Sequence, residues 1–356
     1  MTKNKFSDEE LTQKVADLQT QLGELQNVPE KDHHAIISTY KELADNYSKL
    51  KEHATAITQL EEALQIAETL PENSKEKSEL FYELAVIYHR QQEDYPKAME
   101  LALQALEMFQ EQHANGNLAK TYQRIGLIHV SENNWDAALE ALEQSVEWAE
   151  KLEDWEELGG TYATIADVYR IQNEHQEALE YYKLSITNYE KSDSYDYLGA
   201  IYQIIAEIMA FHNKTDKAVR SYQEAAANFS NAESYDEAGI CIALAAKLLV
   251  PKGQYKEAIE LFETAIEKFN QAPNPYEAAS CYVQMAGVYE EQKNWADAVA
   301  TYEKARPFAL EAADEVLQDT IDESLEHATE QAQIQAASPK SEGKGFFDKL
   351  KGFWGK

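Results

Sequence analysis

The stretch 162–185, YATIADVYRIQNEHQEALEYYKLS, decides how the rest of the chain is read. Tyr162, Ile165, Ala166 and Tyr169 recur at helical spacing, Asn173, Glu174 and His175 interrupt them, and Ala178, Tyr182 and Ser185 resume the period. Two amphipathic helices with a short polar turn make a helical hairpin. Neither helix can bury its apolar stripe alone, so such a hairpin requires neighbours of its own kind.

Those neighbours are written along the chain at a spacing of 40 or 41 residues. First helices open at Tyr40, Phe81, Tyr122, Tyr202, Ile242 and Tyr282, and second helices carry Ala56, Ala98, Ala138, Ala218, Ala258 and Ala298 at matching offsets. With the quoted copy this makes seven units, and Pro307 is expected to close the series. The pattern resembles the tetratricopeptide repeat family over about residues 34 to 307. Here the period is 40 rather than 34, a surplus of about one and a half helical turns, and the small residue of the first helix is mostly Ala instead of Gly. The resemblance implies an all-α, right-handed superhelical solenoid of about seven hairpins. In that architecture the periodic Tyr, Phe and Trp residues are core filling, not a cofactor site.

Composition agrees, because 44 % hydrophobic residues with only 13 Gly and 8 Pro, and no alternating β-branched runs, leave little but helix. A continuous repeat points to one elongated array in preference to the two or three globules that 356 residues would otherwise suggest. The net charge of −32 excludes a nucleic-acid binder, which needs a basic footprint. Cys241 and Cys281 hold equivalent places in consecutive repeats, at about the 8–10 Å spacing of stacked helices. That is beyond disulfide reach, so both are expected as core fillers in a reducing, cytoplasmic compartment. No signal peptide or membrane-length apolar run is present in the sequence.

The ends frame the repeats. Ser7 and Glu10 have capping-box spacing, and Leu11, Val15, Leu18, Leu22 and Leu25 follow as a short heptad seam, serving either as a cap over the first repeat or as a homodimer contact. The expected organisation is a heptad or capping helix over 1–30, repeats over 34–307, and a C-terminal capping helix over 308–335 with Leu310, Val316, Leu317, Ile321, Leu325 and Ala328 on one side. A linker over 336–345 and a tail over 346–356 complete it.

In the tail, Phe346, Phe347, Leu350, Phe353 and Trp354 form one helical face flanked by Lys344, Lys349 and Lys351. Residues 339–356 carry five Lys against Glu342 and Asp348, a contribution of +3, while the rest of the chain carries −35. Residues 344–356 resemble the membrane-targeting helix of the bacterial Min-system ATPase, which implies reversible attachment to an anionic membrane surface, here the inner face of a membrane. The alternative occupant is a protein groove, in another molecule or in this chain.

No catalytic, cofactor or metal pattern is found: H-E-x-x-H, Gly-rich phosphate loops and paired Cys are all missing. Chaperone-adaptor tetratricopeptide proteins hold a terminal carboxylate with Lys and Asn four apart. Here the corresponding pairs are Lys41 with Asp45, Gln123 with Leu127, Ala163 with Asp167, and Gln203 with Glu207, which departs from that clamp. The candidate groove for a protein or peptide partner is Gln123, Asp167, Arg170, Gln203, Glu207 and Lys247. The expectation is a non-enzymatic scaffold on a membrane. Its alternatives are an adaptor similar to the soluble NSF attachment proteins, or a peptide-sensing regulator whose tail docks on a protein.

Overall fold

The computed structural model describes residues 7–29, 32–70, 75–90 and 94–337. The capping box forms: Ser7 Oγ accepts from the Glu10 amide at 3.2 Å while the Glu10 carboxylate accepts from the Ser7 amide at 2.8 Å. It starts α1 (Asp8–Gln26), after which the chain folds into seven helical hairpins.

Four of them lie in one compact unit, Met1–Ser194: α2 (His33–Lys49) with α3 (His53–Ala67), α4 (Lys75–Arg90) with α5 (Tyr95–Glu111), α6 (Asn115–Ser131) with α7 (Trp135–Leu152), and α8 (Trp155–Ile171) with α9 (His175–Lys191). The second unit, Tyr195–Lys356, holds α10 (Tyr195–Phe211) with α11 (Thr215–Asn231), α12 (Tyr235–Leu249) with α13 (Tyr255–Gln271), and α14 (Pro275–Glu291) with α15 (Trp295–Glu311). A 3-10 turn, Val250–Lys252, follows α12, and α16 (Glu315–Ala337) follows the last hairpin. The described residues contain no strand. This is the all-α solenoid of helical hairpins expected, and the two compact units meet in sequence at a hairpin boundary, Ser194 and Tyr195. Hairpins that touch only their neighbours share no core common to all.

Each unit buries the stripes read from the sequence. Tyr182, Phe109 and Phe262 are fully buried, and Cys241 and Cys281 are buried free thiols. A finer complementarity runs through the hairpins. A Cβ placed on Gly159 would come within 2.7 Å of the Tyr189 ring, and Gly199 and Gly239 stand in the same relation to Phe229 and Phe269. In three other hairpins the first helix offers a larger residue at that repeat position and the second offers Ala: Ile37 with Ala67, Ala119 with Ala149, and Ala279 with Ala309, all buried. Helical Gly costs about 1 kcal/mol against Ala. Burying an aromatic ring against bare backbone offsets it.

The turns repeat as strictly as the helices. From His113 onward a left-handed residue falls every twenty positions, at 113, 133, 153, 173, 193, 213, 233, 253, 293 and 313. The Asn133 turn shows why: its amide reaches Val130 O at 3.0 Å and the Asn134 amide reaches His129 O at 2.9 Å, closing the helix in a Schellman motif. Position 273 is Pro, whose ring forbids positive φ, and the helix ends instead at Ala272 with φ −111° and ψ 88°. Only Gly253 among these residues is Gly. Glu233→Gly therefore raises stability by about 1 kcal/mol, the left-handed penalty of a side-chain-bearing residue, and Gly253→Ala lowers it similarly. Urea unfolding checks both.

Three expectations change at the ends. Pro307 lies inside α15, which continues to Glu311. Both Pro307 and Glu303, whose carbonyl loses its helical donor, are exposed, so water satisfies that carbonyl. Phe308 and Leu310 thus belong to α15 rather than to a capping helix, and Leu310 and Val316 face outward while Ile321 and Ala328 are buried. At the other end, Leu11, Val15 and Leu18 are buried, with Val15 and Leu18 against Leu43 of α2, and Leu22 and Leu25 are partly buried on the first hairpin. A second copy pairing through that seam would have to displace α1 from α2.

Candidate functional site

In each hairpin the apolar stripe is used up by neighbours, and a row of first-helix side chains remains at or near the surface. In the first unit Lys41 on α2 reaches across to Glu79 and Glu83 on α4, at 2.6 and 3.1 Å. Burial, which alone would lower the Lys41 pKa, is outweighed by these two carboxylates, and its pKa rises. The basic member of the clamp-like pair is thereby spent on an internal contact.

Farther along this unit, the Asp167 carboxylate accepts from Arg170 Nη2 at 2.8 Å and Nε at 2.9 Å, and from the hydroxyl of buried Tyr182 at 2.7 Å. Burial and the Asp167 charge raise the Tyr182 pKa, so the phenol stays a donor. Gln123 donates to Thr161 at 3.3 Å. Lys120 and Arg124 lie close enough to Glu157 to act on its charge. Burial pushes the Glu157 carboxyl up to about 7 despite those two cations, and among the described residues its Oε1 has no hydrogen-bond donor. His89 meets Arg124 at 3.2 Å and is held down to about 4 by burial and by that guanidinium.

Glu157 couples this face to pH. The folded chain retains a proton that the unfolded chain releases near 4.5, so stability falls as pH rises from about 4.5 to about 7. Glu157→Gln removes this loss. The variant matches wild type at pH 4 and unfolds at higher urea concentration at pH 8.

In the second unit Gln203 donates to Glu207 at 3.2 Å, and the Cys241 thiol points at Gln203 at 3.7 Å. Burial pushes the Cys241 and Cys281 thiols up to about 12, which leaves them unreactive. Lys247 stands elsewhere, in the lining of a cleft of about 470 Å³. The apolar Val250, Pro251, Phe262 and Val288 line it together with Gln284, Glu290 and Glu291. Two residues open it. Pro251 has no N–H for the helical bond, and α12 gives way there to the 3-10 turn. Gly287 occupies the repeat position held by Asp167, Glu207 and Lys247 in earlier hairpins, and nothing lies within 4 Å of where its Cβ would be. The sequence reading named Lys247 but missed Gly287, although the forty-residue register marks it.

The six candidate groove residues thus form two local pairs, Asp167 with Arg170 and Gln203 with Glu207, one contact from Gln123 to the next hairpin, and Lys247 at a cleft of its own. Among the described residues no cluster of His, Cys, Asp or Glu fits a metal ion, and no helix is long and apolar enough to cross a membrane. The proposed membrane-binding residues Lys344, Phe346, Phe347, Lys349, Leu350, Lys351, Phe353 and Trp354 lie outside the described residues.

Tetratricopeptide repeat models match residues 37–70, 76–151 and 240–311, just over half of the chain. The chain belongs to the tetratricopeptide repeat family. Its middle repeats, residues 129–273, also match the soluble NSF attachment protein model. Among curated proteins none matches the sequence. Solved tetratricopeptide-type folds similar to this one include a signal-transduction ATPase with a tetratricopeptide repeat sensor from Pyrococcus horikoshii, with TM-score 0.61 and 18 % identity over 88 % of this chain and 48 % of that one. Aspartyl phosphate phosphatase F from Bacillus subtilis follows at 0.54 and 19 %, over 79 % and 72 %. Yeast Tom70 is at 0.52 and 16 %, over 93 % and 61 %. At these identities the likeness concerns the fold.

Proposed function

We propose that this tetratricopeptide repeat protein is a non-enzymatic scaffold that holds a protein or peptide on its first-helix face and attaches reversibly to an anionic membrane surface through residues 344–356. The observation that carries the scaffold reading is the division of labour within each hairpin: core positions are spent on neighbours, while Asp167, Glu207, Lys247 and Gly287 recur at one surface register. Membrane attachment rests on the tail sequence. A dozen helical residues cover about 18 Å, which suits lying in the headgroup region with Phe and Trp inserted.

Co-sedimentation of the full chain with anionic and neutral vesicles tests it. The expected result is binding to anionic vesicles, weakened by salt, and none by a chain ending at Ser341. Equal recovery of both chains in the supernatant would remove the membrane and leave the tail a protein-docking peptide. The match over residues 129–273 favours a second reading, an adaptor for membrane-fusion complexes. It requires capture of an assembled fusion complex that a scaffold of other pathways would not bind.

A further inference from the structure

We infer that the cleft around Gly287 is the resting site of the chain's own C-terminal tail, so that the segment proposed to engage membrane is held in the second unit until a surface competes for it. Three observations support this occupant.

The first is position. Gln335 in the last turns of α16 donates to the carbonyl of Lys293 at 3.2 Å, and α16 ends two residues later at Ala337. Lys293 lies two residues beyond Glu291, so α16 ends near the stretch of chain that supplies the cleft's two carboxylates, Glu290 and Glu291. Residues 338–345 span at most about 26–29 Å when extended, ample for a cleft on the same hairpin.

The second is chemistry. The lining joins the apolar Val250, Pro251, Phe262 and Val288 to the two carboxylates of Glu290 and Glu291. The tail presents Phe346, Phe347, Leu350, Phe353 and Trp354 together with Lys344, Lys349, Lys351 and Lys356. Lys247, also in the lining, is opposite in sign to Asp348 of the tail. An aromatic and basic peptide fits an apolar trough with acidic edges better than an acidic one would.

The third is that Gly stands at this register here, where the three preceding hairpins carry Asp167, Glu207 and Lys247. A side chain at 287 would enter the trough, and helix propensity alone would favour one, since Gly287 makes no close approach that excludes a Cβ. A helical position where Gly costs stability and relieves no crowding is accounted for if the space itself is used.

Hydrogen–deuterium exchange on the full chain tests the proposal. Residues 284–291 should exchange about tenfold more slowly in wild type than in the Phe353→Asp, Trp354→Asp double variant, at a rate ratio independent of protein concentration. Gly287→Leu, which fills the trough without crowding the helix, should abolish the difference. Only the second arm rests on the membrane reading: Gly287→Leu should bind anionic vesicles about tenfold more tightly if the free tail is one-tenth populated in wild type. Equal exchange in wild type and the double variant overturns the inference, and so does protection that grows with concentration, which would place the tail in another copy. Tail-dependent protection in a chain that ignores vesicles would uphold the cleft site and sink membrane attachment instead.

Discussion

Gly199→Val should be among the most damaging single changes in the second unit, costing about 3 kcal/mol. The first added carbon would lie 2.7 Å from Cγ and Cδ1 of Phe229, a ring that is itself buried. Overpacking of that kind costs about 1–3 kcal/mol, and the modest helix propensity of Val returns only a few tenths. Phe229→Ala alone should cost about 3–5 kcal/mol through the cavity it leaves. The informative experiment combines them. Gly199→Ala should destabilise wild type yet stabilise Phe229→Ala, because the methyl then enters vacated space and the helix gains about 1 kcal/mol of propensity. The Ala279 and Ala309 pair in the last hairpin shows that this combination packs, with both residues fully buried. Urea unfolding of the four proteins reads the coupling, and the absence of a sign change would show that ring and glycine are independent.

Leu18→Asp carries the second large effect and separates two roles for α1. Leu18 is buried with Val15 against Leu43, beside Leu22, Tyr47 and Leu50. The substitution forfeits about 1.5–3 kcal/mol of apolar burial and would place a carboxylate in contact with it. The helix should detach, exposing Leu43 and making the segment between α1 and α2 an early protease target, with no change of mass by light scattering. If the wild-type chain were instead a dimer that Leu18→Asp converts to stable monomers, α1 would be an association element.

Much of this architecture is legible in sequence because hairpin burial imposes a 3.6-residue period that Tyr162, Ile165, Ala166 and Tyr169 display openly. The turns are less so. Glu153, Glu233 and Lys293 adopt left-handed φ, which their residue types do not advertise, because the Schellman hydrogen bonds demand that conformation whatever the side chain. Pro307 misleads for the opposite reason: its local preference is to end a helix, but an exposed carbonyl on the wet side lets α15 run on. The fit of Gly159, Gly199 and Gly239 to rings thirty residues later was available in the spacing, yet it becomes physical only when α8, α10 and α12 are seen against their partners. Site residues were hardest to read, since Asp167 and Arg170 look like free groove charges and prove to be bonded to each other and to Tyr182.

The twenty-residue turn rhythm has a consequence for how the chain finds itself. A corner inside a hairpin and a corner between hairpins are built alike, so the backbone alone does not tell a helix whether its intimate partner lies ahead or behind. A collapse shifted by one helix would satisfy every turn and most of the alanine contacts. The bare backbone of Gly159, Gly199 and Gly239 accepts a ring only from the helix that follows, and so serves as punctuation, fixing the frame in which seventeen-residue words are paired.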